Sequence, residues 1–390
     1  MTALDELTRD PYAFLGVRRF INATCHHTMY GGSLMPQVSL DAMRAAATSH
    51  VDMMELQRAA GRIISRYTHA DDGYIVSGCA AAMLVGTAAI LTGKDPAKMQ
   101  QLPDTTDMKS LCVAKRFRRL TNDSGVEYSD HSYAIAVQTA GVKFVEVGNE
   151  KIATREEYAA AFSDDVALVY WIGYGPPGDI SIEDVIDIAH ARGVPVLIDA
   201  SNSLPPAENL HRFIDLGADL VAFSGGKGLQ GPQGAGILAG RADLIEAVAM
   251  QSAPEHGIGR VCKVSKEELV GQVTSLIWWA EQDEEDRMTE HHRRTAMLAD
   301  LLRDLPSAEI EIVFPDANQR PYPTVHVRCL PASGMDARAL LDALHSGEPA
   351  IAAMSHSDPA VVRLDVRLCE DWEINTIGAR LNEIFGNSQA

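Results

Sequence analysis

No stretch of about 18 uninterrupted apolar residues occurs in this chain, so a membrane-spanning helix is not expected. Residues 1–12 carry acids and no apolar run, which is not the pattern of a signal peptide, and a cytoplasmic protein is the default expectation. The six cysteines (Cys25, Cys79, Cys112, Cys262, Cys329, Cys369) form no C-x-x-C pair and no zinc-like spacing; they read as reduced, mostly buried thiols. Positive charge is scarce: 34 Lys and Arg against 53 Asp and Glu leave a net charge of −19, which argues against a nucleic-acid partner. Internal repeats, low-complexity tracts and Gly/Ser linkers are missing. The adjacent pairs His26-His27 and His291-His292 do not chelate, because neighbouring side chains point apart on a helix or a strand; no metal is expected.

What is there is an ordinary globular composition, 46% hydrophobic and 22% charged over 390 residues, enough for one large domain and a smaller one. Residues 40–68 are helical in pattern. After them strand-like runs (74–76, 142–147, 166–171, 194–199, 219–223, 236–239) alternate with helical ones (an alanine-rich run after residue 77, 181–192, 207–216). Ser181 with Asp184 resembles a capping box, and Gly193 stands where that helix ends. Continuous apolar strands separated by helices indicate a mostly parallel sheet covered on both faces. A long helical pattern over 265–305 leads to an α+β module with strands at 324–329 and 361–368 and helices at 336–345 and 372–385. The domains expected are an N-terminal arm and helix (1–50), a large cofactor-binding α/β domain (51–265), and a connecting helix with a small C-terminal domain (266–390).

Three features carry chemistry. Asp199 ends a hydrophobic strand, and ligands of α/β sheets gather at strand carboxyl ends. Lys227 follows 28 residues later in the glycine-rich run Phe223-Ser224-Gly225-Gly226-Lys227-Gly228, where the backbone can approach a bulky cofactor and desolvation would activate the amine. Ser77-Gly78-Cys79-Ala80-Ala81 joins a strand to a helix, whose N-terminal N–H groups and dipole suit an anion; Ser224 could add a hydroxyl. Each has an ordinary alternative: a strand-end cap, a solvated loop lysine, a tight turn. Their order is one that pyridoxal-phosphate chemistry can use, with the carboxylate on the ring nitrogen and the lysine on the aldehyde carbon.

The lysine run, followed by Gly231-Pro232-Gln233-Gly234-Ala235-Gly236, resembles the selenocysteine synthase (seryl-tRNA selenium transferase)-like family, and within it the D-glucosaminate-6-phosphate ammonia-lyase-like members. So do Ile21-Asn22-Ala23-Thr24, Gly31-Gly32-Ser33-Leu34-Met35-Pro36, Glu55-Leu56-Gln57, Gly257-Ile258-Gly259-Arg260 with Lys263, Lys266 and Glu267, and Arg363-Leu364-Asp365-Val366-Arg367. The resemblance covers nearly the whole chain and is most specific at the lysine. It implies an α/β fold of type I, that of pyridoxal-phosphate-dependent transferases (aspartate aminotransferase-like), with a Schiff-base lysine at Lys227 and a ring-nitrogen partner at Asp199. It further implies phosphate contacts from Ser77, Gly78, Cys79 and Ser224. Two departures stand out: Cys25 occupies a position where such proteins have glycine, and residues 109–133 are longer than expected before the helix ending at Ala140-Gly141. That region should supply the ring that stacks on the cofactor, with His131 the first choice and Tyr133 the second. Arg367 is a candidate for a substrate carboxylate through a bidentate fork, against a salt bridge with Asp365. Arg260 and Lys263 could hold a further acidic group.

The leading expectation is a lyase: Lys227 removes the α-proton of an amino acid or amino-sugar acid, and loss of a β-hydroxyl gives a keto acid and ammonia. Reprotonation on the other face would instead make a racemase or epimerase. Selenium transfer onto tRNA suits neither the acidity of the chain nor the lack of a basic module before Ile21. A non-catalytic relative is the alternative outside enzymes. A homodimer or higher homo-oligomer is expected by analogy with fold type I.

Overall fold

Short apolar runs bounded by polar turns build one large sheet in the computed structural model of the chain, which describes residues 2–121, 125, 127–129, 134–173, 175–316 and 318–387. Its strands, in chain order, are β1 (Asp72–Val76), β2 (Leu111–Lys115), β3 (Lys143–Val147), β4 (Val166–Ile172), β5 (Val196–Asp199), β6 (Leu220–Ser224) and β7 (Gly236–Gly240). They lie in the order β1-β7-β6-β5-β4-β2-β3. β7 is antiparallel to both neighbours and the other pairings are parallel. The mostly parallel sheet expected from continuous apolar strands is therefore present.

Side chains alternate across each strand, so the sheet feeds two apolar layers. One holds Val113, Val169, Ile198, Val221 and Phe223 beneath the helices Met53–Thr68, Ile182–His190 and Lys266–Ala280. The other holds Cys112, Leu168, Tyr170, Leu197, Leu220 and Ala222 beneath the helix Gly78–Thr92. That helix is apolar all round because it is buried nearly throughout. The edge strand β1 is protected by a side chain: the buried Gln57 amide donates to the Ile75 carbonyl at 2.8 Å and accepts the Ile75 N–H at 3.1 Å, standing in for a neighbouring strand. Ser181 caps its helix by accepting the Asp184 N–H at 3.1 Å, while the Asp184 carboxylate pairs with Arg155 instead of closing a capping box. Gly193 takes the left-handed conformation (φ 66°) past the helix end.

The chain forms two compact units: Ser33–Gln282 with Ala317–Arg320, which contains the large sheet, and Met1–Gly32, Asp283–Asp316 and Pro321–Ala390. The unit change after Gln282 differs from the expected boundary at 265. The helical pattern over 265–305 is two helices, Lys266–Ala280 and Glu284–Leu301, broken at Asp283, which caps the second by accepting the Glu285 and Asp286 N–H groups at 2.8 and 3.0 Å. The first buries Leu269, Leu276 and Trp279 against the large sheet; the second gives Leu298 to the small unit's core. The N-terminal arm likewise joins the small unit, where Phe20–Asn22 pairs in parallel with Ala350–Ala352. That unit is α+β, with a four-stranded antiparallel sheet ordered Ala308–Val313, Thr324–Cys329, Val361–Leu364, Met354–Ser355. Among the described residues no helix is long and apolar enough to cross a membrane.

Candidate active site

The carboxyl end of β5 places Asp199. Leu197 and Asp199 are two apart and share the face of the layer containing Tyr170, which lies opposite Leu197 in the register of β4 and β5. Asp199 is only 5% exposed, and burying a carboxylate is costly unless donors meet it. Three do. The Tyr170 hydroxyl donates to Oδ2 at 3.2 Å, the Ser201 N–H to Oδ1 at 2.9 Å, and the Cys79 thiol lies 3.6 Å from Oδ1. Burial and the Asp199 carboxylate push the Cys79 thiol well above its ordinary value, with Lys227 acting the other way, so Cys79 is a donor and not a nucleophile.

Lys227 sits in the loop after β6. The loop backbone is held from inside, Gly225 N–H to the Ala235 carbonyl at 2.9 Å and Gly231 N–H to the Gly225 carbonyl at 2.7 Å. Ser33 holds it from outside: its N–H donates to the Gly226 carbonyl and its hydroxyl to the Lys227 carbonyl, both at 2.9 Å. A Cβ on Gly225 would lie 2.0 Å from Gln272 Oε1 and 2.6 Å from the Ala235 carbonyl oxygen, so only glycine fits this approach. The Lys227 ammonium donates to Ser201 Oγ at 3.2 Å. Ser201 thereby links the amine to the carboxylate: its hydroxyl meets Lys227 and its N–H meets Asp199.

The turn Ser77-Gly78 starts the helix Gly78–Thr92. Ser77 makes no side-chain capping bond; burial pushes the nearby Cys262 thiol upward, with Ser77 acting the other way. Gly78 is left-handed (φ 84°), with open space where a side chain would stand, so the first N–H groups of a 15-residue helix face an uncrowded turn. Ser224 ends β6 opposite Gly236, which packs directly against the Gly78 backbone. Asp199, Lys227, Cys79 and the Ser77-Gly78 turn thus gather at one end of the sheet.

Beside them is a cavity of about 560 Å³. It opens between the carboxyl ends of β2 and β4, lined by Lys115, Arg116 and Phe117 on one side and Tyr170, Trp171 and Ile172 on the other. This is where the strand order reverses, the crevice that α/β sheets use for ligands. Four cations line it (Lys115, Arg116, Arg118, Lys151) against one lining acid, Glu150; Lys115 is ion-paired with Asp179 and Arg116 lies 3.9 Å from Glu146. A larger cavity of about 720 Å³ touches Asp72 and Gly73, at the amino end of β1 and therefore away from Lys227.

The remaining expected residues fall elsewhere. His131 and Tyr133 lie outside the described residues. Arg260 is exposed, on the short turn Arg260–Cys262, and so is Lys263. Arg367 belongs to the small unit, where it is 2% exposed. Its Nε and Nη2 donate to Asp365 at 2.9 and 2.8 Å, and its Cζ stacks 3.8 Å from the Tyr322 ring centre. The two-point fork foreseen for a substrate carboxylate is occupied by a protein carboxylate. Nη2 also lies 3.6 Å from Cys25 Sγ, and Cys25 is left-handed (φ 62°), a conformation that explains why glycine suits that position. Sequence reasoning missed Tyr170 and Ser201. A tyrosine inside an apolar strand looks like core, and only the register with Asp199 shows otherwise; Ser201, two residues past a strand-end acid, carried a weak turn signal.

The donor set fits pyridoxal phosphate: Lys227 for the aldehyde carbon, Asp199 for the ring nitrogen, and the Ser77-Gly78 turn with its helix N-terminus for the phosphate. The comparisons with known proteins agree. The sequence model of the aminotransferase class-V family matches residues 133–368. A 5'-C-glycyluridine monooxygenase-decarboxylase of a Streptomyces species is 30% identical over 344 residues, 87% of this chain and 83% of that protein. The D-glucosaminate-6-phosphate ammonia lyase of Salmonella typhimurium is 29% identical over 389 residues, 97% of this chain and 98% of that one. A solved structure of D-glucosaminate-6-phosphate ammonia-lyase superposes with a TM-score of 0.80 at 28% identity, covering 98% of this chain and 99% of the other.

Proposed function

The chain belongs to the aminotransferase class-V family, with pyridoxal phosphate as its cofactor and the fold of type I, and from that premise we propose that it is an ammonia-lyase acting on an acidic, hydroxylated amino-sugar acid. The observation that carries this reading is the end-to-end likeness, in sequence and in fold, to D-glucosaminate-6-phosphate ammonia-lyase.

When bound, the cofactor supplies an electron sink in conjugation with the substrate's α-carbon. The chain's own groups do the rest. Lys227 Nζ takes the α-proton, and its contact with Ser201 Oγ at 3.2 Å orients the amine toward that work. Asp199, fixed by Tyr170, Ser201 and Cys79, keeps a negative charge at the ring nitrogen. Water leaves from the β-carbon, and hydrolysis of the resulting enamine gives the keto acid and ammonia, with no net water consumed. The cationic cavity at the β2/β4 crevice suits the acidic end of such a substrate, a phosphate or carboxylate. A homo-oligomer in the cytoplasm is the proposed setting.

A second outcome is favoured by the Streptomyces relative, whose name describes oxygen insertion and decarboxylation. One assay separates them. Purified holoenzyme is incubated with D-glucosaminate-6-phosphate, with unphosphorylated D-glucosaminate, and with serine, and ammonia, keto acid, carbon dioxide and oxygen uptake are measured. The lyase reading predicts equal ammonia and keto acid, with kcat/KM for the phosphorylated substrate about tenfold or more above the unphosphorylated one. Carbon dioxide released with oxygen uptake overturns it in favour of the second outcome. Hydrogen exchange at the α-carbon without ammonia overturns it in favour of a racemase.

A further inference from the structure

Away from the cofactor site, three side chains of the large unit converge at its surface. His69 is the C-cap of the helix Met53–Thr68, held in the left-handed conformation (φ 58°). His211 stands at the start of the short helix Arg212–Asp215 and Asp215 at its end, four residues apart, a spacing that puts them on one side. Asp215 bridges the two imidazoles: His69 Nδ1 is 2.9 Å from Oδ1 and His211 Nδ1 is 2.7 Å from Oδ2. The rings stack with centres 4.3 Å apart at 25°. One ligand atom from each residue lies within 4.8 Å of the other two, and among the described residues no other set of three His, Cys, Asp or Glu meets that condition.

We propose that His69, His211 and Asp215 form a binding site for a divalent transition ion of the zinc and nickel class, joining the end of the Met53–Thr68 helix to the segment that feeds β6. Two imidazoles and one carboxylate suit such ions, whereas calcium and magnesium prefer all-oxygen sets. A tetrahedral ion with bonds of about 2.0–2.1 Å spaces its ligand atoms by roughly 3.3 Å; the three ligand atoms here lie within 4.8 Å of one another, so rotations of these exposed side chains that shift the atoms by up to about 1.5 Å bring them onto one ion. Each Nδ1 must give up its proton to bind; the proton moves to Nε2 through solvent, which reaches both rings, their side chains being 53% and 35% exposed. The fourth position is left for water. Adjacent histidines could not reveal such a site, because His69 and His211 lie far apart in sequence and only the fold unites them. His190 with Asp219 lacks a second imidazole.

The site is tested by titrating EDTA-washed holoenzyme with zinc chloride in a calorimeter. The expected result is one more equivalent of zinc for the wild type than for His69→Ala/His211→Ala, and binding at least tenfold weaker in Asp215→Asn. Zinc should raise the thermal midpoint of the wild type and not that of the double variant. The visible absorbance of the bound cofactor reports that each variant is folded; should the double variant lose it, His211→Gln alone serves in its place. Equal zinc uptake by wild type and folded variant, or no uptake by the wild type at roughly 100 μM zinc, overturns the proposal.

Discussion

Asp199 shows how much of this protein rests on single side chains. A buried carboxylate at a strand end would be a liability without the Tyr170 hydroxyl, the Ser201 N–H and the Cys79 thiol around it. Hydrogen bonds to charged groups contribute about 1.5–3 kcal/mol, so Tyr170→Phe should lower kcat/KM by roughly ten- to a hundredfold and leave the fold intact. Steady-state kinetics beside a thermal melt checks this; unchanged kinetics would mean that Tyr170 serves packing alone. Asp199→Asn, which removes the charge but keeps the shape, should cost more than Tyr170→Phe while the protein still binds cofactor. The sequence singles out Lys227 and Asp199 as candidates because each interrupts its surroundings, a lysine among glycines and an acid ending an apolar run. It does not single out Tyr170, because an aromatic residue in a buried strand looks the same whether or not its hydroxyl has work to do. Arg367 was legible as a special arginine, yet its partner is Asp365.

At the scale of elements, the site depends on one tight place, the loop after β6, and one open one, the turn after β1. Adding one methyl group at Gly225 would bring a carbon to 2.0 Å from Gln272 and 2.6 Å from the Ala235 carbonyl, which forces the Lys227 loop to move. Gly225→Ala should therefore lower the thermal midpoint by an amount equivalent to about 1–3 kcal/mol and weaken cofactor retention, both readable in one melt followed at the cofactor's absorbance. An unaltered melt would contradict the close packing described. Leu111–Lys115 and Ala308–Val313 were missed, and Val361–Leu364 ends four residues before the expected 368, but six of the seven strands of the large sheet were readable to within two residues, since continuous apolar runs between turn residues admit few other readings. The break at Asp283 was not. A capping aspartate inside an otherwise helical pattern is a weak signal, and only the different cores served by Trp279 and Leu298 separate the two helices.

Over the whole molecule, acidity and burial set how stability follows pH. Burial, with the Arg367 charge beside it, pushes His291 down to about 3. The unfolded chain binds that proton near pH 6.5 and the folded chain does not, so the unfolded state gains protons first and stability falls as pH drops below about 6.5, by about 1.4 kcal/mol per unit. The thermal midpoint should decline from pH 6.5 to pH 5, above the carboxylate range, and His291→Leu should flatten that decline. Identical slopes for the two proteins would exclude His291 as its source. The large-scale plan, one parallel-rich sheet with a smaller α+β unit, followed from the order of elements. The division between units did not, because the N-terminal arm and the C-terminal half meet only in the folded core, where Ile21 and Ala23 pack with Val362 and Leu364.

The central claim is that Lys227 is the residue that holds pyridoxal phosphate. Reduction of the holoenzyme with borohydride, proteolysis and mass spectrometry of the peptide containing Ser224 to Gly228 test it directly. The account predicts a single cofactor-modified peptide carrying the added mass on Lys227, and none in Lys227→Ala. A modified peptide at any other lysine, or a wild type that takes up no cofactor, would contradict it.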